Sequence, residues 1–185
     1  MKLENQTGDT FRVRYVDKKE GLIAPFEHSR GVIIPPGKYS WYRVGVDFKT
    51  GRQRSFNMDF QYWGGDYYDG DRLNLDLKLG WRPSKHFSIE GRYAYNDIDL
   101  PYGDFITRLM IVESEVAFSS QWAWVSLLQY DNVSRNFGIH SRLHWNRRSG
   151  QDLYFVINHS FLEEDNRFRS VSSEMTLKVS YVFRF

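Results

Sequence analysis

The stretch RLNLDLKLGW, Arg72 to Trp81, places Leu73, Leu75, Leu77, Leu79 and Trp81 at every second position, with Asn74, Asp76 and Lys78 between them. A period of two puts one set of side chains on each face of a β-strand and is incompatible with a helix. The pattern recurs. RSFNMDFQY sets Phe56, Met58, Phe60 and Tyr62 against Asn57, Asp59 and Gln61, and FGIHSRLHW sets Phe137, Ile139, Leu143 and Trp145 against His140, Arg142 and His144. Helical periodicity is almost absent. Alternation predicts ten strands, near 9–17, 38–48, 53–62, 71–81, 86–96, 105–118, 122–131, 136–146, 151–161 and 173–185. The fold class expected is all-β, an antiparallel up-and-down transmembrane β-barrel forming a single domain over 1–185, itself complete or the C-terminal part of a larger barrel.

Composition fits that reading. Aromatic residues make up 17% of the 185 residues, yet the mean hydropathy is −0.57. Both hold if apolar side chains alternate with polar ones. No run of about 18 apolar residues exists, so a membrane-crossing helix is not expected. A net charge of +2, from 25 basic and 23 acidic residues, gives no electrostatic drive toward nucleic acid. With no cysteine, disulfides and thiolate metal sites are excluded. The opening MKLENQTGDT has no apolar core of a signal peptide. For an exported protein the expectation is that a leader was removed, or that the chain is the tail of something longer.

The predicted connections alternate in length. KTGRQ, RPSK, SSQ and NRRSGQ are short, while Lys18 to Gly37, WGGDYYDGD, NDIDLPYGD and LEEDNRFRSVSS are longer, and DNVSRN is an exception. Short periplasmic turns on one rim and longer extracellular loops on the other are the pattern of a membrane barrel.

Alternation leaves open which face is outside. A soluble lipocalin-like carrier would enclose a ligand with its apolar face; an outer-membrane barrel turns that face to lipid. Two features favour lipid. Large aromatics flank the short turns in the apolar register: Phe48, Phe56, Trp81, Phe87, Phe118, Trp122 and Trp145, with Phe183 and Phe185 at the same level. Tyr62, Tyr95, Tyr130 and Phe137 form a looser second ring. Such girdles mark the two interfaces of a bilayer. The other face carries both charge signs, and Asp76, Lys78, Glu90, Arg92, Glu113, Glu115, Arg142 and Lys178 are the candidates for a lumenal ion-pair network. Trp41 and Tyr154 are expected to fill part of the interior with the arginines, leaving an anchor or a narrow pore.

The ending TLKVSYVFRF resembles the C-terminal assembly signal of bacterial outer-membrane barrels, through Leu177, Val179, Tyr181, Phe183 and Phe185. That resemblance implies recognition by the barrel-assembly machinery of a Gram-negative envelope. The segments VIIPPGKYSWYRVGVDF, GGDYYDGDRLNLDLKLGWRPSKHFSIEGRYAYNDIDLPYGDFITRL and LLQYDNVSRNFGIHSRLHWNRRSGQDLYFVIN make the chain similar to the C-terminal barrel of a family of uncharacterised outer-membrane proteins. Its longer members carry an N-terminal domain similar to family 9 carbohydrate-binding modules. The resemblance implies an outer-membrane location, lipid as a partner and carbohydrate as a candidate partner.

Other chemistry is thinly supported. His140 and His144 share a face but stand about 13 Å apart at ~3.3 Å per residue, too far for one metal ion. Glu113 and Glu115, about 6.6 Å apart on the same rise, match the spacing of an inverting glycosidase but also of structural ion-paired groups. His159 and Ser160 point to opposite faces. Asp66, Asp69 and Asp71 sit in an aromatic loop that reads as solvated surface, with calcium or sugar as an alternative ligand. No catalytic residue, metal or cofactor is assigned. A glycan-active hydrolase is the enzymatic alternative, suggested only by family association.

Overall fold

The computed structural model describes residues 1–29, 31–148, 150–165 and 167–182. These form thirteen strands and no helix: β1 (Lys2–Glu4), β2 (Thr10–Leu22), β3 (Phe26–Ser29), β4 (Val32–Ile34), β5 (Gly37–Lys49), β6 (Phe56–Tyr67), β7 (Gly70–Ser84), β8 (Phe87–Leu100), β9 (Gly103–Ala117), β10 (Trp122–Asp131), β11 (Asn136–Arg148), β12 (Gln151–Glu164) and β13 (Arg167–Tyr181). Eleven of them make one up-and-down antiparallel sheet in the order β1-β2-β5-β6-β7-β8-β9-β10-β11-β12-β13, and β3 pairs with β4 alone.

The ten predicted strands are all present, but the count of ten is too low. β1 folds back on the start of β2, and β3 and β4 lie inside the stretch from Lys18 to Gly37 that reads as a loop. Closure is not observed either: among the described residues no pairing joins β13 to β1 or β2. The long loops are also corrected. β6 runs on to Tyr67 and β7 starts at Gly70; β8 runs on to Leu100 and β9 starts at Gly103. Only Tyr68–Asp69 and Pro101–Tyr102 remain as turns. Gly, Asp and Tyr read as turn formers, yet backbone ladder bonds hold an extended chain whatever its side chains.

The chain divides into two compact units. One comprises Met1–Arg52, Met58–Lys78 and Tyr93–Arg108, the other Gln53–Asn57, Leu79–Arg92 and the chain from Leu109 onward. In the first unit β5 shows which face is covered. Tyr39, Trp41, Gly45 and Asp47 are buried, while Tyr42 and Val44 on the other face are 50% and 42% exposed. A carboxylate is covered and the valine is not, which inverts the order of a soluble sheet. The β3–β4 hairpin supplies much of the cover. Val32 and Ile34 pack with Tyr39, Trp41, Tyr68, Ile98 and Leu100 into the unit's hydrophobic cluster.

The second unit buries no side chain on either face among its described residues. Its apolar face is ordered into cross-strand rows by register. Trp122, Trp145, Leu153 and Val179 share one row, and Phe118 donates its backbone N–H to Trp122 at the end of it. The next row is Val116, Trp124, Leu143, Phe155 and Leu177; then come Ser114, Ser126, Ser141, Ile157 and Met175. Further along, Met110, Tyr130, Phe137 and Phe161 form a second aromatic row. Met175 is 68% exposed.

Gly45 is required by its neighbour. Trp63 lies over it, and a Cβ there would stand 2.5 Å from the indole ring. Gly45→Ala is expected to destabilise the fold by about 1–3 kcal/mol, the scale of overpacking. Thermal unfolding of the detergent-solubilised chain, followed by circular dichroism, checks this.

Candidate functional site

The best-built polar constellation lies in the first unit, on the covered face of β2, β5, β6 and β7. Alternation along β5 sends Trp41, Arg43 and Asp47 to that face. Arg14 reaches Asp47 from β2, Nη2 to Oδ1 at 2.5 Å. Its guanidinium carbon also stands 4.5 Å from the centre of the Trp63 ring, and that of Arg43 is 6.0 Å from the same ring. Trp63 is therefore flanked by two cations and seated on Gly45 of β5, which has no side chain.

Arg43 is anchored by neutral acceptors. Its Nη2 donates to Asn74 Oδ1 at 2.6 Å and to the carbonyls of Trp63 and Arg72, each at 3.2 Å. Its Nε is buried with no partner among the described residues. Arg72 donates Nε to Asn96 Oδ1 at 3.0 Å, and its guanidinium carbon stands 4.9 Å from the Tyr67 ring centre. Asn96 also bonds Asn74 and Thr107. These groups border a cavity of about 260 Å³ lined by Lys18, Arg43, Arg72, Trp41, Trp63 and Tyr67 together with Val16 and Asn74. No carboxylate lines it. Asp47 is taken by Arg14, and the Glu20 carboxylate lies near Tyr67 and Tyr68.

The hairpin meets this site through Tyr67. His28 of β3 packs at a tilt, 5.5 Å from both Tyr67 and Phe105. Burial, and then the nearby Arg72 charge, pushes the His28 imidazole below its ordinary value, toward the neutral form.

The predicted residues fall as follows. Trp81 and Phe87 meet edge to face at 5.9 Å, and Trp122 stacks on Trp145 at 5.4 Å. Phe48 is level with Phe11 and Phe60, not with Phe56, which begins β6 below that row. Leu177, Val179 and Tyr181 are exposed on β13; Phe183 and Phe185 lie outside the described residues. Asp76, Lys78, Glu90 and Arg92 are each engaged by a neighbour. Glu90, Glu113 and Glu115 line one cavity of about 200 Å³ with Arg82. Among the described residues no ion pair joins Glu113, Glu115, Arg142 or Lys178: Val125 stands between Glu115 and Arg142 in their row. Lys178 lies level with Tyr154, which stacks on His144 at 4.3 Å. His144 bonds Asp152 at 2.9 Å, and His140 bonds Asn158. His159 and Ser160 bond different partners, Ser170 and Ser172.

The aromatic loop around Asp69 is a tight turn that leaves Asp69 and Asp71 exposed, as expected of solvated surface, but buries Tyr68. Tyr68 takes a left-handed backbone with φ of 53°, a conformation costing about 1 kcal/mol outside glycine. Its ring is 8% exposed and packs on Tyr39 at 4.9 Å and Trp41 at 4.7 Å, which offsets that cost. Asp69 turns back to accept a bond from Tyr102 Oη at 2.5 Å.

No family profile and no curated protein matches this chain. Among solved structures it is similar to one described as the NanC porin, with a TM-score of 0.40 and 15% identity over 97% of this chain and 96% of that one.

The hydrogen bond to Asp69, with burial behind it, pushes the Tyr102 hydroxyl up to about 12, and burial with the nearby Glu20 charge pushes Tyr68 up to about 12. Tyrosine in an unfolded chain ionises near ~10. The Tyr102 contribution to stability is thus whole below about pH 10 and is lost as pH rises toward ~12. In a spectrophotometric tyrosine titration, Asp69→Ala is expected to move one tyrosine from that late phase toward the ordinary one and leave a second, Tyr68, in place.

Proposed function

We propose that the chain is a lipid-facing β-sheet of a bacterial outer membrane, a non-enzymatic anchor or narrow pore whose polar face lines an interior. The observation that carries this reading is the inverted burial. The sheet covers Asp47 and half-buries Arg43 while leaving Val44, Trp81, Met110, Trp124, Met175, Leu177 and Val179 exposed. In water that arrangement forgoes roughly 25 cal/mol for each Å² of apolar surface left uncovered; against acyl chains the loss disappears.

The dimensions support it. The ten long strands run from 10 to 15 residues, against ~9–11 needed to cross at a tilt. Trp122 and Tyr130, in the two aromatic rows, are eight residues apart on β10. That is about 26 Å along the strand, or about 20 Å of depth at a tilt near 40°. The rows between them are mostly Trp, Leu, Val, Phe, Ile and Met, broken by Ser114, Ser126 and Ser141 and by His159 and Ser173: Ser126 and Ser141 are 3.0 Å apart, Trp124 Nε1 donates to Ser141 at 2.6 Å, and His159 Nε2 is 2.9 Å from Ser170 Oγ. Polar groups satisfied within the sheet are tolerable in hydrocarbon.

Open edges are not. In lipid each unpaired backbone group costs several kcal/mol, so the free edges of β13 and β2 would each require a partner strand. Recognition of Leu177, Val179 and Tyr181 by an assembly machinery, and relation to envelope proteins with a carbohydrate-binding domain, belong to the same proposal.

The experiment is expression into detergent or lipid followed by heat-modifiable gel migration. A folded, heat-sensitive band that needs detergent is expected; a soluble monomer without detergent would overturn the reading. A paired substitution sharpens it. Ile157→Arg, on the apolar face, is expected to cost about 2–4 kcal/mol in a bilayer. Thr176→Arg, on the polar face of the adjoining strand, should cost under about 1 kcal/mol, as read by urea unfolding in vesicles.

A further inference from the structure

We infer that the cavity bordered by Lys18, Arg43 and Arg72 binds a small organic carboxylate carried on a ring, of the hexuronate kind. The inference does not depend on the lipid-facing reading.

Charge comes first. Three cations line one cavity with no carboxylate among its walls, and none of the three is ion-paired among the described residues. Gathering like charges without a counter-ion is unfavourable unless an anion is to be received. Two of the three are arginines, whose planar forks match a carboxylate with paired hydrogen bonds. Arg43 is already oriented by Asn74 and two carbonyls, and its Nε is a buried donor without an acceptor. A buried donor in that state costs ~1–3 kcal/mol until it is answered.

Shape comes second. At about 260 Å³ the cavity is far larger than a bare phosphate or chloride needs. It falls just below the ~300–1,000 Å³ of drug-sized sites, which suits one sugar-sized ring. The rest of the wall supplies three flat surfaces, Trp41, Trp63 and Tyr67. These are fixed in place: Trp63 on Gly45, and Trp41 edge to face with Tyr67 at 5.7 Å. Rigid aromatic faces next to donors form a site for an amphipathic ring with an acidic substituent, because the ring stacks while the carboxylate meets the guanidinium groups.

The test uses the full chain in detergent micelles, with D-glucuronate, glucose and inorganic phosphate as probes. Tryptophan fluorescence and calorimetry give the readout. Glucuronate is expected to bind and to perturb tryptophan emission. Arg72→Gln and Lys18→Gln should each raise its Kd roughly tenfold or more, the scale of one charge-assisted hydrogen bond. Arg142→Gln, a cation of the other unit, should leave it unchanged. Glucose binding as tightly as glucuronate would overturn the anionic assignment, and phosphate binding as tightly would overturn the ring. Absence of any response from chain that shows β-sheet circular dichroism would overturn both. If Arg72→Gln does not fold, the exposed Lys18→Gln decides.

Discussion

Nothing among the described residues of the second unit covers the apolar side of its own sheet. Register aligns Trp124, Leu143, Phe155 and Leu177 in one continuous row, and no helix, loop or second sheet among the described residues is packed over any of them. Backbone hydrogen bonds between strands hold such a sheet together without a core, because each ladder bond is satisfied inside the sheet. They say nothing about what lies on its faces. On the proposed reading the medium supplies that, apolar at mid-height and wet at both ends, and the aromatic rows fall at its two interfaces.

The first unit meets the same requirement from the opposite side. Its polar face is the covered one, so its charges must be answered in place. Asp47 is answered by Arg14, Asp59 by Lys49 at 2.7 Å, and Arg43 by an asparagine and two carbonyls. The β3–β4 hairpin adds an apolar stopper at one end of that face. The consequence is a gradient along β5, from Tyr39 and Trp41 through Arg43 to Asp47. A cavity at the junction of the two regimes has aromatic walls and cationic donors together. Neither regime alone would produce it: a wholly aromatic face offers no donors, and a fully ion-paired one leaves none to spare.

Much of this was legible in the sequence. Period two located all ten long strands, and parity alone sent Arg14, Arg43, Asp47 and Trp41 to the polar face. What parity cannot give is the row. Glu115 and Arg142 share a face, but only register shows Val125 standing between them. The hairpin was hidden because Phe26–Ser29 and Val32–Ile34 are too short for alternation to count. The charged run before them reads as loop. Trp63 was missed for a different reason. It shares the parity of Asn57, Asp59 and Gln61, so a large aromatic there looks like an exception to the polar face. The signal that accounts for it is Gly45, directly across the ladder, where a missing side chain makes room for an indole.

The two free edges bring these constraints together. β1 covers only Thr10, Phe11 and Arg12 of β2, and β13 is unpaired on its outer side among the described residues. Both strands keep strict alternation to the rim: Phe11, Val13 and Tyr15 on one, Leu177, Val179 and Tyr181 on the other. A strand added to either therefore finds its two faces already sorted, apolar beside apolar and polar beside polar, and a slip of one residue would invert every contact. An edge meant to stay open in water is usually blunted by charge, proline or a bulge on the exposed side. β13 carries its one irregularity at Val171, between Ser170 and Ser172, and is regular through Leu177, Val179 and Tyr181. On the proposed reading those regular rungs would take a partner strand.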